Sequence, residues 1–509
     1  MRRTVVLERA RVRALDGPSP GGSRSGVCGL GRGNGGAAAP GPAATAIAVR
    51  DGAVLAIGTL GEVREAGGSA AERIDCGGAT VLPGLLDPHL HLLALGARGA
   101  HFDCGEHGGV AALLAALRAH AARLPPRAWV RAEGLDETRL ERLPTPAELD
   151  AAAGGRPVRL RHRSRHASLL GGEALGRLGG ARGSARQAGG PTGLVCGREG
   201  EIARLLGPLP AALLADGLRA LGVELAACGL TTVADATPRA RRGLGPIRAA
   251  IAAGDLPQRV HVMRWPGTVA WAGEPRLRPG PVKLLVEEGP RGLRPSPPAL
   301  ARAVARAAAC GAQVAVHCTG AATLVAALAA FAALPRAQRA GRRHRLEHLG
   351  ECPPPLVACI ATLGLAVVTN PAFVRHRGDV YREETPAAAW GWLYRARSLL
   401  AAGVPLAGAS DAPVAPLSPW PAIAVARTRR TAGGAVLGPA ERVSAAAALG
   451  LFTTGAAFAL HADELGRLAP GGPADLVVVE PDPLRAAPDE VADTRVRLTM
   501  IAGRIVWPA

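Results

Sequence analysis

Short apolar runs alternate with alanine-rich stretches along most of the chain. The runs have the length of buried strands, and the stretches between them are long enough for helices. Eight such runs lie between residues 81 and 461: LLDPHLH, LTTVADA, RVHVMRW, PVKLLVE, QVAVHCT, HRLEHLG, LAVVTNP and VPLAGASD. Because eight parallel strands that alternate with helices close into a barrel, the pattern predicts an α/β fold, a (β/α)8 TIM barrel over residues 81–461.

One further apolar run does not fit the count of eight. PVRLRHR also has the pattern of a strand, and it lies within residues 101–210. A ninth strand would break the barrel count, so we assign residues 101–210 to a subdomain inserted after the first barrel strand.

Both ends of the chain have the pattern of strands joined by turns. TVVLERARVRAL and TAIAVRDGAVLAIG stand near the start, and the second contains an Asp-Gly pair typical of a hairpin turn. ADLVVVEPDPL and RVRLTMIAGRIVW stand near the end. We predict that residues 1–80 and 462–509 form one composite β-sandwich. Residues 17–44 are rich in Gly, Pro, Ser and Ala, which predicts a flexible loop.

Composition changes the picture mainly through charge. The chain has 509 residues and a formal net charge of +19, which raises the question of a nucleic-acid partner. However, the arginines are scattered, and neither a long basic run nor an aromatic-interleaved RNA-binding signature is present. Compositional bias explains the charge better, so we expect no nucleic-acid partner.

Cysteine usage and the apolar segments bear on the cellular compartment. The nine cysteines are odd in number, irregularly spaced and without a CxxC pair, which indicates reduced thiols. The start, MRRTVVLERARVRALDG, has no apolar region of the length that a signal peptide needs. VAVHCTGAATLVAALAAFAAL contains a histidine and a glycine break and predicts a strand followed by a helix, not a membrane span. We therefore expect a cytoplasmic protein without membrane contact.

Lys283 is the single lysine among 60 Lys and Arg residues, and it stands between apolar residues in PVKLLVE. Arginine is always protonated, whereas a buried lysine amine can lose its proton. A neutral amine can add carbon dioxide to give a carbamate, a carboxylate-like group able to bridge two cations. Lys283 is therefore predicted to have a chemical role that arginine cannot fill, with chance retention as the alternative.

Ionisable side chains recur at the ends of the predicted barrel strands. His89 and His91 are two residues apart, so an extended backbone points both imidazoles the same way. Such a pair alone is weak evidence for a metal site. Four other strands carry Lys283, His317, His348 and Asp411. Barrel enzymes place their chemistry at the carboxyl ends of strands, and these nitrogen and oxygen donors fit a transition metal, with zinc as the default.

The sequence resembles a known family. VLPGLLDPHLH is similar to the PGxxDxHxH signature of the amidohydrolase superfamily, and VKLL, VAVH, RHRLEH and GASDAP resemble motifs of its YtcJ-like branch, amidohydrolase 3. The similarity covers nearly the whole chain, with the motifs in the expected order. It implies a metal-dependent barrel with a β-sandwich built from both termini.

The resemblance also implies roles for individual residues. It divides the metal ligands between two divalent ions: His89, His91 and Asp411 for one, His317 and His348 for the other, and carbamylated Lys283 between them. A site with one ion is the alternative. Asp411 would also be the catalytic residue that moves protons, and Asp87 and Glu347 would orient ligands.

Substrate contacts are less well defined by the sequence. His166, in RHRSRHASLLGGEAL, resembles the SGHxxxxNSxAL segment that contributes to the pocket in the family, although Gly171 and Gly172 replace the expected Asn and Ser. Arg345 is predicted to contact the substrate, with a structural ion pair to the nearby glutamate as the alternative. These departures leave the metal ligands intact and the substrate undefined.

The implied activity is hydrolysis of a C–N bond in a non-peptide amide of a small molecule. Metal-activated hydroxide would attack the carbonyl, and Asp411 would pass a proton to the departing nitrogen. Esters, lactones or phosphotriesters are alternative substrates for the same site. A catalytically silent barrel scaffold or a nucleic-acid binder is the alternative of another class. The sequence leaves the oligomeric state open, a homo-oligomer included.

Overall fold

The computed structural model describes residues 4–15, 44–125, 127–163, 167–180, 192–239, 241–268, 271–289 and 292–508. The loop predicted for residues 17–44 lies, except for its last residue, outside this part of the chain, and so does His166. The chain forms two compact units, one of Met1–Leu92 and Leu221–Ala509 and the other of Leu93–Ala220.

Eight parallel strands form the barrel sheet, and each contains part of one of the eight predicted runs. In spatial order they are β7 (Leu85–Leu90), β13 (Leu230–Arg239), β14 (Arg259–Arg264), β15 (Leu277–Leu284), β18 (Val314–Cys318), β19 (Arg345–His348), β20 (Ala366–Thr369) and β21 (Leu406–Gly408). Between β15 and β18 in the chain, β16 (Glu287–Gly289) and β17 (Gly292–Arg294) pair in a separate two-stranded sheet. Beyond β21, the Asp411 amide donates to the His89 carbonyl over 2.8 Å, and the His91 amide donates to the Ala412 carbonyl over 2.9 Å. These bonds join the last strand region to the first, and the predicted barrel fold is confirmed.

Burial on both faces explains why the barrel strands are nearly continuous apolar runs. Every residue of β7, β19 and β20 is buried. Helices cover the outer face of a parallel barrel and side chains fill its interior, so both faces of these strands are shielded from water. The helices of this region are α8 (Gly245–Ala253), α9 (Pro297–Ala309), α10 (Ala321–Ala332), α11 (Arg336–Arg339), α12 (Pro354–Leu363), α13 (Pro371–Glu384), α14 (Arg397–Ala401), α15 (Pro419–Thr428), α16 (Ala445–Leu451) and α17 (Thr454–Ala459).

Two further sheets are built from both ends of the chain. One contains β4 (Ala53–Gly58), β3 (Ala46–Arg50), β1 (Thr4–Glu8) and β5 (Glu72–Asp75); the other contains β2 (Arg11–Val12), β6 (Thr80–Pro83), β22 (Leu476–Glu480), β23 (Arg495–Ile501) and β24 (Arg504–Trp507). Val5, Ile47, Val81, Val478 and Met500 share one core between the sheets. Helix α1 (Leu60–Gly67) connects β4 to β5, and helix α18 (Pro488–Ala492) lies between β22 and β23 in the chain. The predicted β-sandwich of both termini is therefore present.

The predicted Asp-Gly hairpin turn joins β3 to β4. Asp51 has a φ of 51° and Gly52 a φ of 85°. Two consecutive positive φ values are those of a type I′ turn, whose twist matches the twist of the strands that it joins.

The unit Leu93–Ala220 contains the predicted insertion of residues 101–210. Its sheet has the order β12 (Leu194–Cys196), β11 (Ala167–Leu170), β10 (Val158–His162), β9 (Val130–Leu135) and β8 (Phe102–Asp103). The run PVRLRHR supplies β10 in the middle of this sheet and does not join the barrel. The helices that begin or lie in this part of the chain are α2 (Leu92–Gly96), α3 (Val110–Ala121), α4 (Pro146–Ala152), α5 (Gly172–Gly180), α6 (Glu199–Leu206) and α7 (Ala211–Ala227).

Two properties of the chain as a whole complete the description. No helix among the described residues is long and apolar enough to cross a membrane. The eight cysteines in the described part of the chain all have free thiols.

Gly408 provides a test of the packing between β21 and the helices outside it. A Cβ atom at this position would lie 2.7 Å from Phe452 Cε2 and 3.1 Å from Leu451 Cβ. Because both neighbours are buried, we expect Gly408→Ala to lower the free energy of unfolding by about 1 to 3 kcal/mol, measured by urea denaturation. Gly61→Ala is the matched control, since a Cβ there meets nothing within 4 Å. Equal stability of Gly408→Ala and the wild type would contradict the packing described.

Candidate metal centre

The carboxyl ends of the barrel strands bring the six predicted ligands into one cluster. His89, His348 and Asp411 each offer a ligand atom, and these atoms lie within 4.8 Å of one another. His91 Nε2 is 3.2 Å from Asp411 Oδ1, and the His317 ring centroid is 4.6 Å from that of His348. Lys283, on β15, belongs to the same cluster, because its amine interacts electrostatically with Asp411 and Glu347.

Two of these side chains stand on unusual backbone. Asp411 has a φ of 57° and His348 a φ of 69°. Residues other than glycine seldom adopt this left-handed region, and where they do so the conformation is often part of a functional site. The buried surroundings of both residues hold the backbone in place, and the Asp411 amide is fixed by the His89 carbonyl.

Each of three histidines has one ring nitrogen held by a neighbouring side chain. Nδ1 of His89 contacts Glu347, Nδ1 of His91 lies 2.8 Å from Thr237 Oγ1, and Nδ1 of His348 lies 2.8 Å from Asn370 Oδ1. Metal-binding histidines characteristically use their second nitrogen in this way, which fixes ring orientation and tautomer. For His89 and His91, the remaining Nε2 atom faces Asp411.

Glu347 is held from two sides. Its carboxylate contacts His89 Nδ1 and accepts from Arg345 Nε over 2.6 Å and from Arg345 Nη2 over 3.0 Å. Burial alone would raise the pKa of Glu347, but the charge of Arg345 and the contact with His89 hold it well below its usual value. An ionised Glu347 therefore holds the His89 ring in its orientation.

The predicted substrate contact of Arg345 is wrong. The side chain is 0% exposed, and its guanidinium also donates to the Ala459 carbonyl over 3.2 Å and to the Pro88 carbonyl over 3.0 Å. A guanidinium enclosed in this way does not reach a substrate. The alternative considered for Arg345, a structural ion pair with Glu347, is what the structure contains.

Asp87 links the first strand to the end of the eighth. Its carboxylate accepts from the Ser410 amide at 3.2 and 3.3 Å and from the His89 amide at 3.1 Å. Burial raises the pKa of Asp87 to about 7 despite these hydrogen bonds. Asp87 thus fixes the backbone on either side of His89 and Asp411.

Lys283 is 3% exposed, and its Nζ atom has no hydrogen-bond partner among the described residues. Burial lowers its pKa, and the neighbouring Glu347 and Asp411 oppose that effect without cancelling it. A buried ammonium without a hydrogen-bonded counter-ion is costly, so the site favours the neutral amine.

The ligand atoms of the cluster that have no well-formed hydrogen bond among the described residues fit a bound cation. Asp411 Oδ1 lies 3.4 Å from His89 Nε2 and 3.2 Å from His91 Nε2, yet it is buried without a well-formed hydrogen bond. Burial lowers the pKa of His89 to about 3, so its imidazole is neutral. Neutral imidazoles around an ionised carboxylate are the donors that zinc and similar divalent metals bind.

Sequence reasoning missed three side chains that hold the ligands. They are Thr237, which bonds His91; Asn370, which also donates to the Ala409 carbonyl over 3.0 Å; and Ser410, whose hydroxyl accepts from the Ala412 amide over 3.0 Å. The available signal was the polar residue at the end of an apolar run, as in LAVVTNP and VPLAGASD.

The chain is similar to known proteins in sequence and in fold. The sequence profile of the amidohydrolase family matches residues 72–507. The chain is 30% identical to the N-substituted formamide deformylase of Arthrobacter pascens, over 90% of this chain and 94% of that protein. It is 26% identical to the putative amidohydrolase YtcJ of Bacillus subtilis, over 91% and 96% of the two chains. The fold is similar to a solved structure, an uncharacterized metal-dependent hydrolase from Pyrococcus horikoshii, with a TM-score of 0.74 and 21% sequence identity. The superposition includes 96% of this chain and 99% of that one.

The (β/α)8 barrel with histidines and an aspartate at its strand ends, together with the family match, makes the protein a metal-dependent hydrolase. Within that class, the chain belongs to the amidohydrolase family. The resemblance seen in the sequence is confirmed, and so is the prediction of a hydrolase that acts on C–N bonds other than peptide bonds.

Asn370 allows a test of how the ligands are oriented. We expect Asn370→Ala to weaken binding of a divalent metal about 10-fold to 100-fold, because the His348 ring loses its Nδ1 partner. Competition with a chromophoric chelator measures the affinity. Thr369→Val is the matched control, since the adjacent Thr369 is equally buried and its hydroxyl has no hydrogen-bond partner in the described structure. Unchanged affinity in Asn370→Ala would show that His348 needs no such support.

Proposed function

We propose that the protein hydrolyses an N-substituted amide of a small molecule, with a formamide as the first acyl group to test. The observation that carries the proposal is the enclosed Lys283 amine beside the cluster of His89, His348 and Asp411. The similarity to an N-substituted formamide deformylase supports the choice of substrate class.

The proposed metal is zinc, held as one or two ions. His89, His91 and Asp411 would hold one ion, and His317 and His348 the other. In the two-ion form, Lys283 would be N-carboxylated: its neutral amine forms a bond to the carbon of carbon dioxide and releases one proton, leaving a carbamate anion between the ions. Arginine has no such chemistry, which gives a reason for the single lysine of the chain.

The chain's own residues would move the proton and hold the geometry. A bound divalent metal supplies Lewis-acid activation of the amide carbonyl and a water of near-neutral pKa. Burial raises the pKa of Asp411, but the neighbouring His91 lowers it below its usual value overall, so the carboxylate is available as a base. Asp411 would accept the proton of the attacking water and deliver it to the leaving nitrogen.

Apolar side chains near the strand ends favour an apolar substituent on that nitrogen. Trp265 follows β14 and is 50% exposed, and Leu285 follows β15 and is 45% exposed. β14 and β15 are adjacent in the barrel, and Lys283 lies on the second of them. Exposed large apolar residues near a site commonly form part of a binding surface.

The partners, cellular location and oligomeric state expected from the sequence are also part of this proposal. We propose a small-molecule substrate, no nucleic-acid or membrane partner, and a cytoplasmic location in which the thiols remain reduced. A homo-oligomer is compatible with these expectations.

A panel of matched substrates tests the reaction class. We expect release of amine from N-substituted formamides and acetamides, with turnover rising when the N-substituent is benzyl instead of methyl, because Trp265 and Leu285 would contact the larger group. Matched esters, a lactone and a phosphotriester form the second arm, and product release by chromatography is the measurement. Faster turnover of these oxygen substrates than of every amide would contradict the amidohydrolase proposal.

Removal of the proposed base tests the role of Asp411. We expect Asp411→Asn to reduce kcat at least about 100-fold while much of the bound metal is retained, because Asn keeps an oxygen donor and the other ligands remain. Steady-state kinetics and metal analysis of the same sample give both quantities. Asp216→Asn is the control, since Asp216 is exposed and pairs with Arg219 on the surface of α7. Full activity of Asp411→Asn would refute the assigned role.

A further inference from the structure

A cavity of about 390 Å³ is lined by none of the proposed metal ligands. Its polar lining is cationic or neutral and contains no carboxylate: His261, Arg264, Gln313, Arg342 and His461. Glycines 280, 311 and 341 also line it, which leaves room beside the backbone. Nothing in the proposed hydrolysis uses these residues.

The cavity reaches the amino ends of β18 and β19, and Arg264, the last residue of β14, also lines it. Gln313 immediately precedes β18, and Arg342 lies in the loop before β19. His317 and His348, by contrast, stand at the carboxyl ends of these same strands. The lining contains none of the six proposed metal ligands, so the cavity is distinct from their cluster.

His261 is the most informative residue of the lining. It is 4% exposed, and its ring makes no hydrogen bond among the described residues, although it borders the cavity. Burial lowers its pKa to about 3, and the positive charges of Arg278, Arg345, Arg259 and His461 act in the same direction. A buried imidazole without a partner leaves an N–H donor available to a ligand.

The charges around the cavity are only partly compensated. Arg278 pairs with Glu464 over 3.3 Å, and Arg343 pairs with Asp463 over 2.6 Å. These pairs neutralise Asp463 and Glu464, which follow His461 closely in the chain.

Arg264 and Arg342 remain without an ion pair in the described part of the chain. Arg264 Nε donates to the Gly280 carbonyl over 3.0 Å, and Arg342 Nη1 donates to the Gly311 carbonyl over 3.1 Å. A guanidinium carries five N–H donors, so each keeps several for a ligand, and the carbonyl bonds fix its position.

We propose that this cavity binds a small oxyanion, either phosphate or a short carboxylate. Arg342 and Arg264 donate to the oxygens of the anion, and the His261 ring donates one further N–H. The anion supplies the negative charge that the lining lacks. This site is independent of the proposed hydrolysis and does not require it.

Anion titration of the metal-loaded protein tests the proposal. Inorganic phosphate and acetate are titrated separately by calorimetry at constant ionic strength, with sodium chloride as the balancing salt. We expect saturable binding of at least one anion by the wild type and affinity weakened about tenfold in Arg342→Gln. Arg302→Gln, which removes an exposed arginine on α9, is the control of equal charge and should bind as the wild type does. The anion that binds more tightly, phosphate or acetate, shows whether the ligand is a phosphate or a carboxylate.

The location of the anion is read from the histidine signals. In protein with ¹³C-labelled histidine, the signal that disappears in His261→Gln should shift during the titration of the wild type. Turnover of the amide substrate by Arg342→Gln should equal that of the wild type, which separates this site from the metal centre. Equal anion affinity of Arg342→Gln and wild type, no saturable binding of either anion, or an unshifted His261 signal would overturn the proposal.

Discussion

The burial of the Lys283 amine is the constraint on which the proposed chemistry depends. Its Nζ atom is enclosed by protein and has no hydrogen-bond partner in the described structure. Keeping an ammonium there would require desolvation without compensation from a close ion pair. The neutral amine avoids that cost and becomes reactive, and a carbamate formed from it would be stabilised by bound cations. The same surroundings that make lysine costly as a cation therefore suit it as a ligand precursor.

The rigidity of the cluster comes from charges buried beneath it. Arg345 and Glu347 form a fully buried ion pair, and Glu347 contacts His89 in turn. A buried ion pair contributes little to stability by itself. When all of its polar atoms have hydrogen-bond partners, however, it holds the side chains that it contacts in one orientation. Arg345 meets that condition through the Pro88 and Ala459 carbonyls. Arg345 lies inside the barrel and bonds to β7 through the Pro88 carbonyl and to β19 through Glu347. These contacts explain how His89 and His348 stay together.

The sequence was sufficient for the barrel and for the identity of the clustered side chains, because both follow from strand periodicity and strand ends. His89, His317 and His348 meet because parallel strands end on one face. The partners of their rings were not predictable, since Thr237 and Asn370 reach the histidines only through three-dimensional packing. Arg345 was misassigned for a similar reason: a sequence does not show whether a charged side chain points to the mouth or into the interior.

The most direct test is a crystal structure, with metal analysis, of protein grown with zinc and bicarbonate. The expected result is zinc bound by His89, His91, His317, His348 and Asp411, with added density for a carboxyl group on Lys283 Nζ that contacts the metal. A structure in which Lys283 points away from the metal, or in which zinc binds elsewhere, would contradict the proposed centre.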